Sequence, residues 1–141
     1  MKKISTILIA LLMICWIEGC GKNVSLKGKV TFSDDQSPLP AGTVFFEADS
    51  TQHFGDIQPD GTYVMGTISA KDGLPPGKYR VYVHGVEVPD PTDSSGLSMM
   101  PLVDSKFQSA STSGLSVQVD SSTKQFDFSV DPNPVNKAKL K

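Results

Sequence analysis

Cysteine is nearly missing from this chain. The two present, Cys15 and Cys20, both fall early in a sequence of 141 residues. The chain beyond them therefore has no thiol for a disulfide, a nucleophile or a thiolate metal site. An exported domain of this kind must hold together by its core alone. Tryptophan occurs once, as Trp16, which leaves no tryptophan platform for a sugar ring further on. Histidine occurs twice, as His53 and His84. Basic residues number 13 against 15 acidic ones, for a net charge of −2, and form no stripe. That pattern argues against nucleic acid as a partner. No Gly-x-Ser-x-Gly elbow occurs, and no helical periodicity is sustained after the first twenty or so residues.

What is present begins with a leader. Lys2 and Lys3 precede an apolar run from Ile4 to Ile17, broken only by Ser5 and Thr6. The run is too short to favour a spanning helix and fits the helical core of a signal peptide. It ends in Ile17-Glu18-Gly19-Cys20, which resembles the bacterial lipobox: an aliphatic residue, a tolerant position, a small residue, then cysteine. Glu18 departs from the small uncharged residue usual there. The resemblance implies that Cys20 is lipidated and becomes the first residue of the mature protein. Cys15 follows the bulky Ile14 and is the poorer match. Gly21 stands where lipoproteins retained at the inner membrane carry aspartate, so the resemblance implies an outer-membrane location in the cell envelope. Several acyl chains would anchor the protein firmly where one alone would not. The expected organisation is a signal peptide over residues 1–19, a lipidated tether over 20–23, a β-domain over 24–131 and a disordered tail over 132–141.

Residues 24–32 place Val24, Leu26, Val30 and Phe32 on one side, the period of a half-buried strand. Gly28 falls on the inward side, where close backbone approach is expected. A turn region rich in Asp, Pro and Gly leads to a second strand, with Val44, Phe46 and Ala48 inward and Phe45 on the polar side. Pro59-Asp60-Gly61 supplies turn chemistry between short arms, read as a hairpin. Leu74-Pro75-Pro76-Gly77 is a rigid corner. It feeds a strand with Tyr79, Val81 and Val83 inward and Lys78, Arg80, Tyr82 and His84 outward. The stretch from Pro89 to Gly114 is rich in Ser, Pro and Asp and reads as a long loop. Leu115, Val117 and Val119 and then Phe126, Phe128 and Val130 alternate as a closing hairpin, stopped by Pro132 and Pro134. Lys137, Lys139 and Lys141 read as a frayed, solvated end. About seven short strands with Gly/Pro/Asp turns make a single all-β, antiparallel sandwich of the prealbumin-like or Ig-like kind.

Gly28-Lys29-Val30-Thr31, Pro38-Leu39-Pro40-Ala41-Gly42-Thr43, Asp60-Gly61-Thr62-Tyr63, Leu74-Pro75-Pro76-Gly77-Lys78-Tyr79 and Thr112-Ser113-Gly114-Leu115 occur in that order. Together they resemble small bacterial lipoproteins with a carboxypeptidase-regulatory-like, transthyretin-type domain. The resemblance implies a seven-stranded β-sandwich with no general activity, acting in stability, adhesion or display. It carries over no catalytic residue and no cofactor. The chain lacks the Tyr-Arg-Gly-Ser ending of the transthyretin-like purine-pathway hydrolases, since it ends Ala138-Lys139-Leu140-Lys141 and Tyr79-Arg80 is followed by Val81.

The expected role is a non-catalytic envelope module, with the membrane as one partner and an envelope protein or cell-wall polymer as the other. The outward Lys78, Arg80, Tyr82 and His84 form the candidate contact face. Asp90, Asp93 and Asp104 are candidate oxygen ligands for Ca²⁺, which would make the chain a calcium-stabilised adhesion or glycan-binding module instead. A hydrolase would need His84 and a loop carboxylate to meet in a pocket. His53 and His84 are otherwise read as surface histidines.

Overall fold

A computed structural model describes residues 22–66 and 72–140. The leader, Cys20 and residues 67–71 lie outside the described residues. In chain order the strands are β1 (Lys27–Phe32), β2 (Thr43–Ala48), β3 (Thr51–Asp56), β4 (Thr62–Val64) and β5 (Gly77–His84). There follow β6 (Glu87–Pro89), β7 (Met99–Pro101), a 3₁₀ turn (Ser105–Gln108), β8 (Leu115–Val119), β9 (Phe128–Val130) and a short helix α1 (Pro134–Ala138). A four-stranded sheet in the order β3-β2-β5-β8 packs on a three-stranded sheet in the order β4-β1-β9, and β6 and β7 form a separate ribbon. The fold is an all-β sandwich. Among the described residues no helix is long and apolar enough to cross a membrane.

The period-two pattern fixes which face each strand buries. Val30 and Phe32 of β1, Val44 and Phe46 of β2, and Tyr79, Val81 and Val83 of β5 all point into the interior and are buried. Phe46 sits at its centre, with the rings of Tyr79, Phe126 and Tyr63 at 5.9, 6.0 and 6.5 Å. Gly28 is inward as expected. A Cβ there would lie 1.9 Å from the Phe126 carbonyl oxygen and 2.6 Å from the Tyr63 hydroxyl. The absent side chain is what lets the Tyr63 hydroxyl donate to that carbonyl at 2.5 Å. The Pro-Pro-Gly corner is also as expected. Leu74 pairs with Val24 through two backbone bonds of 2.8 and 3.1 Å, and the Tyr79 hydroxyl donates to the Pro75 carbonyl at 2.7 Å.

Four expectations are corrected. First, Pro59-Asp60-Gly61 does make a tight turn, with Gly61 at φ +81°, and its arms do pair, at Gln58–Thr62 and again at Phe54–Gly66, but between those points the chain passes from β3 in one sheet to β4 in the other. The hairpin partner of β3 is β2, in register from Thr43–Asp56 to Ala48–Thr51. Secondly, β8 and β9 are not a closing hairpin. β8 runs antiparallel to β5, while β9 crosses to the second sheet and runs parallel to β1, so the sandwich is not wholly antiparallel. Alternation reveals the face of a strand and not its neighbour.

Thirdly, residues 89–114 are not an open loop. Met100, Leu102, Val103 and Phe107 are buried in the core, and Ser113, also buried, donates to the Val81 carbonyl at 2.5 Å. Fourthly, residues 132–140 are ordered. The Asn133 amide donates to the Leu102 carbonyl at 2.7 Å, and Asn136 Nδ2 donates to the Pro101 carbonyl at 2.8 Å. Lys137 is no frayed lysine. Its ammonium lies 2.7 Å from Asp34, 2.9 Å from Asp35 and 4.0 Å from the Phe32 ring centroid, an arrangement with both ionic and cation–π attraction.

Candidate functional site

The outer face of the four-stranded sheet collects most of the polar and aromatic chemistry that the core does not use. Register stacks it in rows. Tyr82 of β5 is opposite Phe45 of β2, and Phe45 is opposite Phe54 of β3. One step along, Ser116 of β8 is opposite Arg80, Arg80 opposite Glu47, and Glu47 opposite Gln52. On the other side of the aromatic row come His84, Thr43 and Asp56, and beyond the charged row come Lys78 and Gln118.

The aromatic row is a single assembly. The Phe45 and Tyr82 rings stack at 5.0 Å with planes 11° apart. The Tyr82 hydroxyl accepts from Gln52 Nε2 at 2.9 Å, so the ring leans from β5 across Phe45 toward β3. Gln52 Nε2 also reaches Glu47 at 3.3 Å, and Arg80 Nη2 donates to Glu47 at 2.6 Å. Burial, and then the Glu47 charge, push the Tyr82 phenol above its ordinary value, so it stays protonated. Phe54 is 37% exposed, open to solvent beside Phe45.

A groove of about 270 Å³ lies between Glu47, Arg80 and Tyr82 on the sheet and the segment Gln108 to Ser111 that passes over it. A second hollow of similar size continues from Glu47 to Asp49, Ser50 and Gln52. A wider one, about 460 Å³, opens on the other sheet between Lys27, Lys29, Tyr63, Val64 and Asp127. Its mouth has no stacked aromatic pair, and the Tyr63 ring beside it is buried. The groove at Tyr82 offers the ring of Tyr82, a cation from Arg80, a carboxylate from Glu47 and an amide from Gln108.

The expected face residues Lys78, Arg80, Tyr82 and His84 do lie exposed or half-exposed on one side of β5. Only Arg80 and Tyr82 share the network; Lys78 and His84 stand in other rows. Asp90, Asp93 and Asp104 turn their oxygens to their own backbone. Asp90 accepts from the Thr92 amide and hydroxyl at 2.9 and 2.6 Å, and Asp93 from Ser95 and from the Ser98 amide at 2.8 Å. Asp104 caps the 3₁₀ turn through the Lys106 amide at 2.9 Å. Hydrogen bonds from Thr92 and from Ser95 hold the Asp90 and Asp93 carboxyls below the ordinary carboxylate range. Among the described residues no three His, Cys, Asp or Glu side chains converge to hold a metal ion.

His53 is not on the surface as expected. It is 4% exposed, on the inner side of β3, with the Tyr79 ring edge-on at 5.6 Å. Burial lowers its pKa. Sequence reasoning also missed Phe54, Gln52 and Glu47 as partners of Tyr82. Register brings them there, and it is set by a two-residue turn at Asp49-Ser50, with Asp49 at φ +50°.

No family model matches the chain, and no curated protein matches it. The resemblance to transthyretin-type lipoproteins therefore rests on the motifs alone. Among solved structures, a variant of the major pilin subunit of Bacillus cereus matches at 10% identity and a TM-score of 0.48. The match covers 79% of this chain and 30% of the pilin. Neither role nor partner is carried over from it.

Proposed function

We propose that this chain is a lipid-anchored envelope protein, attached through Cys20, whose β-sandwich is a non-catalytic binding module for a cell-wall glycan. The observation that carries the reading is the Phe45–Tyr82 stack at 5.0 Å, bordered by the Arg80–Glu47–Gln52 network along an open groove. A sugar ring presents weakly positive C–H groups on one face, which suit the negative face of an aromatic ring. Its hydroxyls pair with the planar donors and acceptors of Arg, Glu and Gln. The lipobox-like Ile17-Glu18-Gly19-Cys20 supports the anchor, and Gly21 supports the outer membrane.

Two measurements test it. Palmitate labelling should be lost in Cys20→Ala; persistent labelling would remove the anchor at that residue. Co-sedimentation with isolated peptidoglycan should fall at least tenfold in Tyr82→Ala, assayed well below a melting temperature lowered by only a few degrees. Equal sedimentation of both proteins would remove the glycan reading.

A further inference from the structure

The pairing of strands sorts the charged residues by height. Val24 pairs with Leu74, the Lys27 amide donates to the Lys124 carbonyl at 3.2 Å, and Gly77 is opposite Val119. The start of β1, the start of β5 and the turn after β8 thus lie at one end of the sandwich. Lys22, Lys27, Lys78 and Lys124 are all there and all exposed. None of the four is in an ion pair among the described residues. Asp49, Asp72 and Asp120 share that end, but Asp120 turns inward to the Ser122 and Thr123 amides at 2.8 and 3.1 Å.

The opposite end is different. Its lysines are neutralised: Lys106 by Asp131, Lys137 by Asp34 and Asp35, and Lys139 by Asp90. Carboxylates remain in excess there, with Asp60, Asp93 and Asp104 held by backbone and hydroxyl donors in their own turns. The domain is therefore polarised along its strands, weakly basic at the end where the chain enters and acidic at the end where it leaves.

We propose that the lysine end is a docking surface for anionic lipid headgroups of the membrane that holds Cys20, and that it sets the domain upright on that membrane. The inference rests on the lipid-anchor reading. The tether forces the contact. Three residues, Gly21, Lys22 and Asn23, lie between Cys20 and the paired Val24, and the four steps at 3.3–3.6 Å each span at most about 14 Å. Lys22 is held within about 7 Å on the same scale. These distances are comparable to the screening length of roughly 8 Å at physiological salt. The eight residues of β5 place the acidic end about 26 Å further out, where the headgroup field is screened. An anionic surface thus attracts the near end and leaves the far end free. In this posture the outer face of the four-stranded sheet, with the groove at Tyr82, stands sideways to the lipid.

The test uses the full lipidated protein in phosphatidylcholine vesicles with and without phosphatidylglycerol, labelled by a water-soluble amine reagent and read by mass spectrometry. Flotation with neutral vesicles reads the anchor alone. With phosphatidylglycerol, Lys22, Lys27, Lys78 and Lys124 should label several-fold more slowly, while Lys106 and Lys139 stay unchanged. High salt should restore the rates. Lysines near an anionic surface each contribute roughly fivefold in partition, so Lys27→Glu with Lys124→Glu should abolish the protection without reducing flotation on neutral lipid. Equal labelling of all lysines in both vesicles, with flotation intact, overturns the docking surface and spares the anchor. Loss of flotation on neutral lipid overturns the anchor reading itself.

Discussion

Strands β2 and β5 show two different surfaces on one backbone. Inward, Val44, Phe46, Tyr79, Val81 and Val83 are nearly or wholly buried and meet other side chains on every side. Outward, Phe45, Glu47, Arg80 and Tyr82 meet one another, Gln52 and Phe54, and border a groove open to solvent. The residues alternate one by one, so nothing in the fold forces the outward set to be aromatic. A stable sandwich needs the inner set; it is indifferent to a Phe–Tyr stack facing water. An outward aromatic pair held by a hydrogen-bonded network is therefore a feature that packing does not explain.

That contrast can be broken by substitution. The largest effect is expected from Phe46→Ala, which empties a site surrounded by three rings; a loss of about 3–5 kcal/mol in denaturant unfolding is expected for a buried Phe. Gly28→Ala should follow. Its Cβ meets a backbone carbonyl that cannot swing aside, and overpacking of this kind costs about 1–3 kcal/mol. Phe45→Ala and Tyr82→Ala on the outer face should each cost only about 0.5–1.5 kcal/mol, the worth of an aromatic pair. Arg80→Ala should cost less still, about 0.2–1 kcal/mol, since the ion pair with Glu47 is open to solvent. If Tyr82→Ala proved as damaging as Phe46→Ala, the outer stack would be part of the core and not a display.

The pH dependence sharpens the same division. His53 faces inward, and burial lowers its pKa below the ordinary value of 6.5. The unfolded chain then binds the proton more readily than the folded one. The contribution is fully present above the unfolded value of 6.5 and is lost as the pH falls through the folded pKa. Urea melts should show stability declining on the acid side of neutrality, and His53→Gln should flatten that slope.

The legible parts of the fold were those where burial and alternation coincide. Strands β1, β2 and β5 carry apolar residues at every second position, and Gly28 and the Leu74–Gly77 corner carry their reasons in their residue types. β3 was hard to read because its inner positions are His53 and Gly55, not aliphatic residues. Gly55 is small because a Cβ there would lie 2.5 Å from the Val64 carbonyl oxygen. Segment 89–114 read as solvent because Met100, Leu102, Val103 and Phe107 are spaced without a period among Asp–Ser and Asp–Thr turns that satisfy themselves. The tail was missed because the partners of Lys137 lie a hundred residues away, at Asp34 and Asp35. Of the candidate site, Arg80 and Tyr82 were visible from the strand pattern. Phe54, Gln52 and Glu47 join them only through register, and register follows from a two-residue turn whose type the residues Asp49-Ser50 do not announce.

The most direct test is to titrate the isotopically labelled protein with soluble peptidoglycan fragments and map amide and ring shifts by NMR. The changes should gather at Phe45, Phe54, Tyr82, Arg80 and the Gln108–Ser111 segment. Changes gathered instead around Lys27, Tyr63 and Asp127 on the other sheet, or none at saturating fragment, would contradict the assignment of binding to the outer face of β2, β3 and β5.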